Sequence, residues 1–342
     1  MTNSEIRLLN EAEFPLWDDF VDEAQHGTLF HKTFWLGALG YKPMIYGYFK
    51  EGQICAGLPL TYHREFGLKM VVHPPITPYM GVIFKHPNTK YATWLSNEKK
   101  ISREIAQILK KNNHYVSLRF PPGMVDLQPF IWEGFSTSVT YTYIIYLEND
   151  LDKIWMSMNA INRNRIRKAE KDGITVVASD DFNDTVKLIE MTFARQEIQS
   201  FPKSAAYTYS DILKTRNRFK SFLAKDVNNN LIAGTYLAWD NKSSYYLLGG
   251  YNSENSHRGA LALALWESIK FSKEKLNLKE FNFEGSMIPR IEEFFRAFGG
   301  ELVPCYHVEW TKKPYKILLS VRQRLARSNF MRSLYATAYL RT

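Results

Sequence analysis

At 342 residues, 45% hydrophobic and 23% charged, the chain is long enough for two average domains, each with a sizeable core. Its two cysteines, Cys55 and Cys305, exclude a disulfide framework and show no metal-ligand spacing, which suits a reducing cytoplasm. The net charge of +9 is not a nucleic-acid signature of the whole chain: eight of the 44 Lys and Arg lie beyond Thr311, where no Asp or Glu occurs, leaving 36 basic against 35 acidic side chains.

The N-terminus, M-T-N-S-E-I-R, has no signal-peptide pattern, and no apolar run reaches bilayer length, so a cytoplasmic location is expected. The first half opens with a helix over 13–23, with Phe14, Trp17, Phe20 and Val21 on one stripe. Strands follow at 44–49 and 54–62, then a stiff loop, H-P-P-I-T-P-Y-M-G (73–81), because proline fixes φ and removes donors. A strand at 82–84, a helix over 98–111, a strand at 115–120, a short helix over 125–132 and a long strand at 136–147 complete this half.

The second half starts with a basic helix over 152–171, ended by Gly173. A strand at 175–178, a helix over 182–196 and strands at 222–225, 231–239 and 244–251 come next. They are followed by a helix over 261–275, a strand at 280–283, a helix over 288–298 and a strand at 301–310. Both halves end strand–turn–helix–aromatic–Gly–strand, the residue of an old duplication or the common grammar of α/β folds.

Three segments carry candidate chemistry. In S-S-Y-Y-L-L-G-G-Y-N-S-E-N-S-H-R-G-A, a strand leads through a polar loop into a helix. Ser256, His257, Arg258, Gly259 and Ala260 would form a turn whose free N–H groups and positive dipole end suit a phosphate, with Tyr251 nearby. In M-N-A-I-N-R-N-R-I-R-K-A-E-K-D-G-I, Arg163, Arg167 and Lys171 fall on one helical ridge, suited to a polyanion or simply to solvent. In F-N-F-E-G-S-M-I-P-R-I-E-E-F-F-R-A-F-G-G, Glu284 closes a strand and Arg296 lies near the end of a helix. Glu284 could orient or deprotonate an amine, or form an ion pair with a neighbouring arginine. No histidine pairs with an acidic residue at metal spacing, and no metal is expected.

The last segment resembles the closing motif of Fem-type peptidyltransferases in the GNAT superfamily, a "D-F-x-G" strand end followed by "F-K-x-x-F-G". The arginine ridge resembles their "R-x-x-I-R-K-A-x-K-x-G-V" helix, and the proline-rich loop their "P-P-x-T-P-Y-x-G", which makes Tyr79 a candidate substrate contact. The resemblance implies two tandem GNAT-like α/β domains with mixed sheets flanked by helices, 1–149 and 150–311, followed by a basic tail, 312–342. It implies transfer of an acyl group from acyl-CoA to an amine of a cell-envelope sugar or peptide, by direct attack.

In this pattern Arg296 takes the place of the family lysine that stabilises charge on the carbonyl oxygen, or binds an anionic group of the substrate. The S-H-R-G-A turn keeps one basic residue and one glycine of the superfamily's "Q/R-x-x-G-x-G/A" pyrophosphate loop, without its full spacing. Two other readings stay open. One is an aminoacyl-tRNA-dependent transferase holding tRNA on the arginine ridge. The other is a non-catalytic protein bound to the inner membrane surface. The tail supports the latter, because Leu318, Val321, Leu325, Phe330 and Leu334 would line one side of a basic amphipathic helix.

Overall fold

The computed structural model describes residues 4–65, 67–86, 89–195, 201–313 and 315. The basic amphipathic helix expected in the tail lies outside them. The chain forms two compact units, divided between Thr140 and Tyr141 and again between Val303 and Pro304, so that the described residues from Pro304 onward belong to the first unit.

The first unit contains β1 (Ser4–Leu8), α1 (Phe14–Glu23), α2 (Thr33–Gly37), β2 (Met44–Lys50), β3 (Gln53–Leu60), β4 (Tyr62–Glu65), β5 (Leu68–Val71), β6 (Ile83–Phe84), α3 (Tyr91–Asn112), β7 (Tyr115–Arg119) and α4 (Gln128–Trp132). It also takes the first residues of β8 (Ser136–Tyr146). Its strands run in two orders, β1-β2-β3-β6 and β4-β5-β7-β14, the last strand coming from the C-terminal end of the chain. The stripe foreseen on α1 is its core: Trp17, Phe20 and Val21 pack with Ile45, Phe49, Ile54 and Ile83. The alternation of β2 and β3 matches the expected strands, but β1, α2 and the β4–β5 hairpin were not foreseen, and α3 begins at Tyr91 rather than near 98.

The second unit contains α5 (Leu151–Ser157), α6 (Ala160–Lys171), β9 (Thr175–Ser179), α7 (Asn183–Arg195), α8 (Lys203–Lys214), β10 (Phe219–Lys225), β11 (Leu231–Trp239), β12 (Ser243–Tyr251), α9 (Ala260–Glu274), β13 (Glu280–Asn282), α10 (Pro289–Arg296) and the start of β14 (Glu301–Thr311). Its strand order is β8-β13-β12-β11-β10-β9. The basic stretch expected as one helix is two. Asn159 adopts an extended conformation and its side chain accepts the Asn162 N–H at 2.7 Å, which caps α6 and cuts it from α5. Buried Ile166 and Ala169 turn α6 onto the core, which continues through Leu263, Leu265 and Ile269 of α9 to Phe281, Phe283, Phe295 and Phe298.

The two units repeat one unit of topology. In the first, β5 runs antiparallel to β4 and parallel to β7, with α3 as the crossover. In the second, β12 runs antiparallel to β11 and parallel to β13, with α9 as the crossover. The tandem α/β architecture expected from the sequence is therefore present.

In the first unit the chain beyond β5 folds onto the end of β7. The Arg119 N–H donates to His73 Nε2 (2.9 Å) and the Met80 N–H to Arg119 O (3.0 Å). Because Nε2 accepts, Nδ1 carries the proton and donates to Thr77 O (2.9 Å). Nearby, the two ring nitrogens of His307 lie 2.8 Å from Ser117 Oγ and 3.3 Å from Ser138 Oγ.

Each of these rings keeps a little solvent exposure, but desolvation and the adjacent Arg119 charge hold His73 down at about 3 and His307 at about 4. Against an ordinary value near 6.5, the unfolded chain binds more protons than the native one from about pH 6 down to pH 4. Stability present above pH 6.5 is thus lost as pH falls through that range. His307→Gln is expected to reduce the loss between pH 7 and pH 4 by ~1–3 kcal/mol, read from urea denaturation at each pH. An unchanged pH slope would contradict a neutral His307.

Candidate active site

The second unit's chemistry is organised by β12. It pairs in parallel with β13 only over Ser243–Tyr245, opposite Glu280–Asn282. On its other edge it follows β11 as far as Tyr251, with a bulge that leaves Leu247 as the extra residue between Tyr246 and Leu248. From Tyr246 onward the edge of β12 facing β13 therefore has no strand beside it among the described residues. Backbone N–H and C=O groups on that edge turn into a cleft.

A cavity of about 770 Å³ opens at this cleft. Its walls are Tyr246, Leu248 and Gly249–Tyr251 of β12, Thr192 and Phe193 of α7, Ser256–Arg258 and Leu261 at the start of α9, Arg165 of α6, and Arg290, Ile291, Phe294 and Phe295 of α10. At Gly249 a Cβ would lie 2.0 Å from the Tyr246 hydroxyl oxygen, so the Tyr246 ring lies directly over this glycine. Gly250 is required by α7, because its Cβ would lie 2.3 Å from Leu188 O. Thr192 Oγ1 accepts the Tyr251 N–H at 3.1 Å and ties the end of β12 to α7.

Of the residues expected to form the phosphate turn, Ser256, His257 and Arg258 line the cavity, as does Tyr251. His257 Nδ1 accepts the Gly259 N–H (3.1 Å), so its proton sits on Nε2, 3.0 Å from Asp172 Oδ2. His257 thereby joins the start of α9 to the end of α6. Gly259 caps α9 and is buried, and Ala260 is the buried first residue of the helix. The need for glycine at 259 is not a ligand's approach: a Cβ there would lie 2.0 Å from Arg165 O, so α6 itself presses on this point.

The remaining candidates are distributed elsewhere. Arg163 donates to Met156 O (3.0 Å) and to Met158 O, closing the end of α5. Arg167 stacks over the Trp155 ring at 5.4 Å. The arginine of α6 that reaches the cavity is Arg165. Arg296 is exposed and paired with Glu292 (2.8 Å), which also accepts the Tyr143 hydroxyl (2.5 Å). These two partners hold Glu292 below the ordinary carboxylate range. Tyr79 is buried in the first unit, 5.8 Å from the Phe30 ring.

Glu284 follows β13 with φ +59°, beside Gly285 at φ +69°, where a Cβ would lie 1.9 Å from Tyr141 O. Its N–H donates to Asn282 Oδ1 (2.8 Å), which also accepts from Thr142 (2.6 Å), and its carboxylate oxygens are buried. It stands near Tyr245, whose hydroxyl is driven up chiefly by burial, then by Asp240 and Glu284. Tyr245 and Tyr246 are consecutive in a strand and point to opposite faces. Glu284 is not among the residues that line the cavity.

Sequence reasoning did not single out Arg165 or Arg290 as site residues. Among the described residues, neither these two nor Arg258 has an ion-pair partner, and the lining contains no Asp or Glu. The cavity is therefore cationic and otherwise largely apolar.

Residues 158–294 match the family model described as an acetyltransferase (GNAT) domain. This part of the chain is a GNAT acyltransferase domain. A search of curated proteins found no match. Among solved structures, FemX is 16% identical with a TM-score of 0.70, covering 92% of this chain and 99% of its own. L-PGS from Bacillus licheniformis is 12% identical with a TM-score of 0.52, covering 92% and 96%. A tandem GNAT protein from the clavulanic acid biosynthesis pathway is 14% identical with a TM-score of 0.50, covering 90% and 98%. At these identities the likeness is one of fold. It extends to both units, and the tandem GNAT neighbour shares the doubled plan.

The GNAT domain's cationic wall depends on the close approach of α6 to Gly259. Gly259→Ala is expected to destabilise the protein by ~1–3 kcal/mol, the cost of overpacking, measured by urea unfolding. Wild-type stability in this variant would show that α6 and α9 are not in contact there.

Proposed function

We propose that the GNAT domain transfers an acyl group from acyl-coenzyme A to a primary amine. The observation that carries this reading is the meeting, in one cavity, of three unpaired arginines, the N-terminus of α9 and the open edge of β12. Arg165, Arg258 and Arg290 supply positive charge for a diphosphate, and the positive end of the α9 dipole adds to it. The unpaired edge of β12 offers N–H groups to a carbonyl oxygen as negative charge develops on it. Arg296 is engaged with Glu292 and is not needed for that role.

Glu284, which follows β13 at the parting of β12 and β13, is the group assigned to take a proton from the incoming amine. The N–C bond forms as the C–S bond breaks, the amine proton passes to Glu284, and the thiolate leaves with its electron pair. The absence of carboxylates from the lining favours this donor over an aminoacyl ester, whose ammonium group would meet three arginines. The acceptor class, an amine of a cell-envelope sugar or peptide precursor, rests on the likeness to FemX and L-PGS. No helix among the described residues is long and apolar enough to cross a membrane.

Two experiments test this. Acetyl-CoA at a hundredfold its dissociation constant should stabilise the protein by about 2.7 kcal/mol, roughly 5–10 °C in melting temperature, and Arg258→Glu should abolish the shift. No shift with any CoA thioester removes this donor. Glu284→Gln should lower kcat by about 10²–10⁴-fold while leaving the CoA-induced shift intact, once an amine acceptor is found by thiol-release screening. Full turnover in that variant would sink the assignment of Glu284.

A further inference from the structure

The apolar wall of this cavity is larger than an acetyl group can use. On α10, Ile291 and Phe294 are only partly buried, although both pack against the core, and Phe295 lies beneath them. The Phe295 ring is 6.0 Å from Phe294 and 5.8 Å, edge-on, from Tyr246. With Leu248, these side chains are the apolar lining contributed by α10 and β12. It extends about one turn of α10, some 5.4 Å along the axis.

The charged residues are arranged around it. Arg165 and Arg258 sit where α6 meets the start of α9, and Arg290 occupies the turn of α10 before Phe294. Phosphates held by Arg165 and Arg258, where α6 meets α9, leave the α10–β12 wall to the other end of the donor. Half-exposed Ile291 and Phe294 gain from being covered by hydrocarbon and would lose from contact with an ion.

We infer that the acyl group accepted here is an unbranched apolar chain of several carbons rather than acetyl or an aminoacyl group. This rests on the donor reading above, and the experiment separates the two. Affinities of CoA, acetyl-, butanoyl-, hexanoyl- and octanoyl-CoA are measured by titration calorimetry, with 6-aminohexanoyl-CoA as the charged counterpart of equal length.

The affinity should rise about three- to fourfold per methylene added beyond acetyl, until the wall is covered. The 6-aminohexanoyl thioester should bind at least tenfold more weakly than hexanoyl-CoA. Phe294→Ala should bring the hexanoyl-to-acetyl ratio close to one. A flat series, or one in which acetyl-CoA is tightest, overturns the inference while leaving CoA as the donor. If none of the thioesters binds, the donor reading itself fails and the inference falls with it.

Discussion

The parting of β12 from β13 after Tyr245 is the constraint on which the rest of the GNAT domain depends. Three features enforce it. The Leu247 bulge bends β12 while it stays paired to β11. The Glu284–Gly285 turn ends β13 with two consecutive left-handed residues, and Gly285 is pressed against Tyr141 O so closely that no side chain fits. Phe295 of α10 then lodges between Phe283 and Tyr246, with rings 5.2 and 5.8 Å away. A strand edge of this kind would ordinarily be covered or paired. Here packing keeps it without a neighbouring strand among the described residues.

The first unit shows the same topology with the opposite outcome. β5 is shorter than β12, and the chain beyond it runs directly into His73-Pro74-Pro75. That loop returns to β7, and its His73 ring and Met80 N–H occupy the backbone groups of Arg119. The place where the second unit holds a cavity is hydrogen-bonded shut in the first. A neutral His73 is part of that closure, because a protonated ring could not accept the Arg119 N–H. The two units share one topology, and the proline- and histidine-bearing loop closes the first where the second stays open.

Much of the fold was legible because its elements carry strong periodicity. The stripe of α1, the alternation in β2, β3 and β8, and the run from β11 to β13 are plain in the sequence. The misses have physical reasons. Asn159 interrupts a stretch rich in helix formers, and only its capping geometry splits α5 from α6. The β4–β5 hairpin is hidden by charged Arg64 and Glu65 around Gly67, and α8 by its aromatic residues, Tyr207 and Tyr209.

Within the site, the turn at 256–258 was legible as a change from strand to helix. The reason for Gly259 was not, since it depends on a helix nearly a hundred residues earlier in the chain. Spacing also joined Arg163 to Arg167 as a ridge. Which arginine of α6 faces the cavity depends on how Ile166 and Ala169 seat the helix against α9, and that seating selects Arg165.

The charge distribution follows from the same packing. The chain upstream of its tail is nearly neutral, yet one cavity holds three arginines without a carboxylate on its walls. The neighbouring charges are spent on each other: Arg296 on Glu292 and Lys168 on Asp172, which also accepts from His257. On α10 the division is made by helical position. Arg290, Ile291, Phe294 and Phe295 line the cavity, while Glu292 and Arg296, four residues apart, neutralise one another on the adjoining face. A cation in the Arg296 position that is already held by Glu292 adds little field at the reacting carbonyl. In the proposed reaction, stabilisation of charge there falls to the N–H groups of β12, and the arginines are left to hold the donor.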